Sequence, residues 1–162
     1  MYRKYQNLHK GKQCIYFIVN YIYGDKMRRN VYEMIFARLQ LIGILDENGN
    51  MNASYMKFES PGLMALHVDN LLNNTISLAH NGLQNGDVMS DPDMEVRINR
   101  EGKMAEALTF QNDYLGIFQQ VYPEPGKYYP KLKKELNDFL NDWLKNMIEV
   151  QKYELVEEDP DE

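Results

Sequence analysis

TISLAHNGLQNGDVMSDPDMEVRINREGKMAEALTFQNDYLGIFQQVY, Thr75 to Tyr122, is the stretch whose reading decides the fold. Segments that alternate apolar and polar residues read as strands, and two loops dense in Asn, Gln and Asp separate them. The clearest unit is the hairpin Met94 to Phe110. A two-residue turn at Glu101 and Gly102 sets Arg97 opposite Glu106 and Val96 opposite Ala107, so one face is apolar and the other carries an opposite-charge pair. Such a cross-strand pair contributes ~0.2–1 kcal/mol and reads as structural rather than catalytic. A further strand is expected from Tyr114 to Val121.

Upstream, Met64, Leu66 and Val68 share one face of a candidate strand, and Ile76 and Leu78 share a face of the next, with Leu72, Asn73 and Asn74 at the turn. Matching the apolar faces places Leu66 opposite Leu78 and Val68 opposite Ile76. This register puts His67 and His80 on opposite faces, which disfavours a metal site built from the pair. Each is expected as a surface or partly buried polar residue.

Helical spacing appears on both sides of these strands. Asn30 offers an N-cap and Glu33 completes a capping box, Val31, Ile35, Leu39 and Ile42 form an apolar stripe, and Gly43 supplies a left-handed stop. Asp46 to Asn50, DENGN, reads as a turn. Cys14 to Tyr23 fits a strand or a short buried helix. Near the C-terminus, Pro130 suits a first helical turn. Leu132, Leu136, Phe139, Leu140, Trp143, Leu144 and Met147 then recur at intervals of three and four, a stripe able to cover a sheet. The expected architecture is α+β: N-terminal helices, a four-stranded antiparallel sheet, and a long amphipathic C-terminal helix packed on the sheet.

The length of 162 residues suits one domain, expected over residues 1–153. The net charge of −6 is concentrated in an acidic end. Glu154, Glu157, Glu158, Asp159, Asp161 and Glu162 supply six negative charges, so residues 154–162 are expected as a disordered tail. A single cysteine, Cys14, excludes an internal disulfide framework, and the absence of a signal peptide or a long apolar span points to the cytoplasm rather than a membrane. The basic N-terminal half, with Arg3, Lys4, Lys10, Lys12, Lys26, Arg28 and Arg29, is a candidate surface for nucleic acid, against the simpler reading of solvated charge.

Candidate functional residues come from the two polar loops. His80 to Met94 carries Gln84, Asn85, Asp87, Asp91 and Asp93, and the second loop carries Gln111, Asn112, Asp113 and Tyr114. Because Asp93 and Phe110 meet at the open end of one hairpin, the two loops are expected to converge on a binding surface for a protein partner. Asp87, Asp91, Asp93 and Asp113 together could hold a hard cation in a metal-dependent hydrolase, although DVMSDPD lacks the spacing of a calcium loop. Asn and Asp also shape turns by bonding nearby backbone, which is the plainer reading of each residue. No nucleophile sits beside a base, and no cofactor signature stands out.

The pieces QNGD at Gln84 to Asp87, DPDM at Asp91 to Met94, NDYLG at Asn112 to Gly116 and NDFLNDWLKN at Asn137 to Asn146 carry a resemblance. Over Ile76 to Met147 the chain resembles a family of small uncharacterised proteins encoded on bacterial conjugative elements, plasmids and phages. PDMEVRI, MAE and NDFLNDWL are similar, more weakly, to another short uncharacterised bacterial family. The resemblance implies an accessory protein of mobile DNA and brings no catalytic residues with it.

Overall fold

A computed structural model describes residues 29–160. The first helix, α1 (Val31–Ile42), follows its sequence signals. The Asn30 side chain accepts from the Glu33 backbone N–H, the Glu33 side chain returns to the Asn30 N–H, and Gly43 closes the helix at φ 98°. The Asp46 turn also forms, with the Asp46 carboxylate accepting from the Asn48 and Asn50 N–H groups at 2.9 and 2.8 Å. Cys14 to Tyr23 and the basic residues up to Arg28 lie outside the described residues.

Eight strands follow: β1 (Ala53–Glu59), β2 (Leu66–Asn70), β3 (Thr75–Gln84), β4 (Asp87–Asn99), β5 (Met104–Ala107), β6 (Thr109–Asn112), β7 (Ile117–Gln120) and β8 (Glu154–Pro160). They form one antiparallel sheet in the order β7-β6-β4-β3-β2-β1-β8, with β5 beside β6 along the same side of β4. Leu108 is the break between β5 and β6. Its N–H reaches the Glu95 carbonyl at 2.8 Å, and the Glu95 N–H is taken by the Thr109 hydroxyl at 3.0 Å.

The second helix, α2 (Pro130–Asn146), continues into a π turn over Met147–Gln151. Ile35, Phe36 and Leu39 of α1, with Leu136, Leu140 and Leu144 of α2, close on the same core as Phe58, Leu66, Val68, Leu78, Met94 and Val96 of the sheet. Both helices therefore cover one face, and the other face stays open. Asn137, fully buried on α2, accepts from the Ala107 N–H at 2.9 Å and donates to the Lys133 carbonyl at 2.7 Å, which ties the helix to β5. No helix among the described residues is long and apolar enough to cross a membrane.

The expected four-stranded sheet with N-terminal helices is thus corrected to eight strands with one described helix before the sheet and one between β7 and β8. Three local features contribute to the difference, beside the break at Leu108 that divides β5 from β6. First, Asn85 and Gly86 make a two-residue turn at φ 54° and 90°, joining β3 and β4 into a long hairpin where a loop was expected. Second, Ala53, Met56 and Phe58 form an additional buried strand. Third, Glu154–Pro160, expected as a disordered tail, pairs with β1 as an edge strand whose acidic side chains blunt further pairing.

The hairpin register is as expected, with Arg97 opposite Glu106 and Val96 opposite Ala107. The β2–β3 register is not. Leu66 faces His80 and Val68 faces Leu78, a slip of two residues that leaves every side chain on its expected face.

Candidate functional site

The bulge in the β3–β4 ladder organises the polar end of the sheet. Ala79 pairs with Asp93 and Asn81 with Ser90, so one extra residue is accommodated on β4, around Asp91 and Pro92. The β6–β7 turn docks against this bulge. Asp113 donates its N–H to the Ser90 carbonyl at 2.9 Å, and its carboxylate accepts the Ser90 N–H at 2.8 Å and the Gln111 amide at 2.8 Å. These bonds, from Gln111 first and then from Ser90, lower the Asp113 pKa. Asn112, 8% exposed, donates to Asp91 at 2.7 Å while its oxygen accepts the Leu115 N–H of the turn at 3.0 Å.

Asp93 lies on the open face, where it accepts from Ser77 at 2.9 Å. Burial raises its pKa, the Ser77 bond opposes that, and the charges of Asp69 and Asp113 add to the rise. Tyr114 lies across β4 onto β3, so close to Gly82 that a Cβ there would overlap its hydroxyl. A larger residue at that position would displace the Tyr114 ring.

The structure therefore brings together Asp91, Asp93, Gln111, Asn112, Asp113 and Tyr114. Gln84, Asn85 and Asp87 lie apart, exposed at the tip of the hairpin beyond the bulge. Asp87, Asp91, Asp93 and Asp113 do not gather around a common point, and no group of three His, Cys, Asp or Glu among the described residues could hold a metal ion.

Sequence reasoning missed the residue beneath this cluster. His80, expected as a surface or partly buried polar residue, is 8% exposed, on the helix-covered face, with its ring 5.1 Å edge-on to Trp143 and 5.7 Å stacked on Tyr153. Burial depresses its pKa to about 4 against the opposing charge of Asp91, so the ring is neutral at pH 7. Its Nε2 has no hydrogen-bond partner. His67 lies on the open face, bonded to the Tyr55 hydroxyl at 2.7 Å. The usable signal for His80 was its position two residues after Leu78, on the same face of the strand.

A second polar cluster sits where α2 begins. Glu106 binds Arg97 at 2.8 Å and Lys133 at 2.7 Å, and the Lys133 ammonium lies 5.4 Å from the rings of Tyr32 and Tyr122 and 5.9 Å from Tyr128. Burial pushes the Glu106 pKa up, but the bonds from Lys133, Tyr122 and Arg97 outweigh it and hold the carboxylate ionised. The Arg97–Glu106 pair read from the sequence is one arm of this clamp, which joins β4, β5 and both helices.

The sequence model of a family described as a domain of unknown function, DUF6908, matches residues 39–154. The chain belongs to this family. The matched span runs from within α1 to the first residue of β8 and holds every polar residue of the bulge and hairpin tip. It is wider than Ile76 to Met147, the span of the resemblance read from the sequence. Neither the curated proteins nor the solved structures give a match.

Proposed function

We propose that the chain is a binding protein rather than an enzyme, and that its working surface is the polar end of the sheet formed by the β3–β4 tip and the β6–β7 turn. The observation that carries this reading is a set of large apolar side chains left in water there. Leu83 is 74% exposed, Val88 66% and Leu115 68%, beside Tyr114 and the polar groups of Gln84, Asn85 and Asp87. Apolar side chains rimmed by polar ones suit a protein partner. Asp91, Asp93, Asn112 and Asp113 are held by neighbouring protein groups, which fixes the shape of the surface and leaves them poorly placed to act on a substrate. The resemblance of the Gln84–Asp87 and Asn112–Gly116 pieces to proteins of conjugative elements, plasmids and phages supports an accessory role in mobile DNA, in the bacterial cytoplasm.

The test is capture from bacterial lysate by wild-type protein beside a Leu83→Lys, Val88→Lys variant, with Val150→Lys as the control for a distant exposed residue. The expected result is a partner retained by wild type and the control and lost by the tip variant. Equal capture by all three, or none, overturns the reading.

A further inference from the structure

The two edges of the sheet differ in charge. β8 carries Glu154, Glu157, Glu158 and Asp159, so that edge repels a second copy of itself. β7 carries no charged residue, and none lies between Tyr114 and Tyr122. All four residues of β7 are exposed, with Phe118 at 64%, and among the described residues β6 is its sole partner strand. An uncharged strand edge with free backbone groups is a template for another strand.

The backbone of β7 also dictates how a second strand would meet it. The Val121 N–H bonds the Leu108 carbonyl at 2.9 Å, towards the sheet, and backbone groups alternate sides along an antiparallel strand. Phe118 and Gln120 therefore turn their N–H and C=O groups outward. Gln119 faces the helices and, with Phe110, Leu132, Glu135, Leu136 and Phe139, lines a cavity of about 230 Å³ between the edge and α2. Phe118 faces the open side.

We propose that β7 pairs antiparallel with β7 of a second copy about a two-fold axis at Phe118. In this register each Phe118 exchanges backbone hydrogen bonds with its counterpart, and the two rings meet on the open face. Ile117 of each copy lies opposite Gln119 of the other, at the mouth of the cavity beside Phe139. The contact is isologous and closes at two copies, because of the outer edges left on each subunit β8 is acidic and β5 has its Ala107 N–H taken by Asn137 of α2. A four-residue ladder is small for an interface, so the dimer is one of micromolar rather than nanomolar affinity. The strand adjoins the β6–β7 turn of the proposed partner surface but not the β3–β4 tip, so Leu83→Lys and Phe118→Lys tell the two readings apart.

Sedimentation equilibrium of the full chain from about 1 to 100 µM tests it. Wild type is expected to pass from monomer to dimer over that range, and Phe118→Lys, checked for folding by circular dichroism, to weaken association by about tenfold or more. Leu83→Lys leaves it unchanged. In a Cys14→Ser background, Phe118→Cys is expected to oxidise to a covalent dimer, because a hydrogen-bonded antiparallel pair holds its Cα atoms about 5.5 Å apart, within disulfide reach. Gln120→Cys, which this register places opposite Gly116, serves as the control and stays reduced. A wild-type chain that remains monomeric throughout, a dimer that withstands Phe118→Lys, or cross-linking at Gln120→Cys equal to that at Phe118→Cys overturns the proposal.

Discussion

The β3–β4 hairpin is one pair of strands with two different sources of order. In its lower half, Ile76 and Leu78 with Met94, Val96 and Ile98 are buried beneath α1 and α2. In its upper half, Leu83, Gln84, Asp87 and Val88 stand exposed, and the shape is kept by the Asn85–Gly86 turn and by the bonds that dock the β6–β7 turn on Ser90 and Asp91. The lower half is ordered by removal of apolar surface from water, the upper half by directional bonds. Substitutions in the upper half can therefore reshape a surface without unfolding the domain, as the binding role proposed for it requires.

That contrast is broken most directly by truncating one apolar side chain in each half. Leu140, fully buried over the sheet, is expected to cost about 3–4 kcal/mol on Leu140→Ala. Leu83→Ala is expected to stay within about 0.5 kcal/mol. The midpoints of urea unfolding measure both, and comparable losses would mean that the upper half is packed by something other than its hydrogen bonds. The next largest effect belongs to His80, at the junction of the halves. Its folded pKa of about 4 lies below the ordinary 6.5, so the unfolded chain takes up the proton first as pH falls. The stability conferred by a neutral His80 is complete above pH 6.5 and is lost between pH 6.5 and 4. Allowing for solvent near the site, the loss is on the order of 1–2 kcal/mol. His80→Phe is expected to remove this part of the dependence, read as the difference between the two proteins' unfolding midpoints across that pH range.

The halves were also unequally legible in the sequence. The lower half announces itself, since Met94, Val96 and Ile98 alternate with polar residues and Glu101–Gly102 marks the turn, which fixes the Arg97–Glu106 register. Helix α1 was legible to the residue because its cap, stripe and stop agree. The upper half buries neither face, so Asn81, Gln84 and Asp87 conceal a strand, and composition outweighed the Asn85–Gly86 dipeptide that defines the hairpin. The two-residue slip between β2 and β3 was hidden for a related reason: it keeps all faces unchanged, and the hydrophobic pattern cannot distinguish the two registers. Strand β8 was concealed by its acidity, which suits an edge as well as a tail. Of the candidate site, Asp91, Asn112 and Asp113 were found by residue type. His80 was missed because a histidine two positions beyond Leu78 looks polar until Trp143 and Tyr153 close over it.

The finest test of the comparison lies in the turn itself. Gly86 sits at φ 90° with open space where a Cβ would project, so Gly86→Ala meets no clash and reports the backbone conformation alone. An L-residue held in the left-handed region costs about 1 kcal/mol there. Because the upper half is not tied to the core through packed side chains, that strain is expected to relax by local opening. Amide exchange at Gly82 and Met89, which face each other as a hydrogen-bonded pair, should accelerate about fivefold, while exchange at Leu78 and Met94 and the unfolding midpoint stay where they were. A uniform acceleration through both halves would show that the hairpin opens as one unit, and that the directional bonds around Asp113 and Asn112 transmit strain into the covered core.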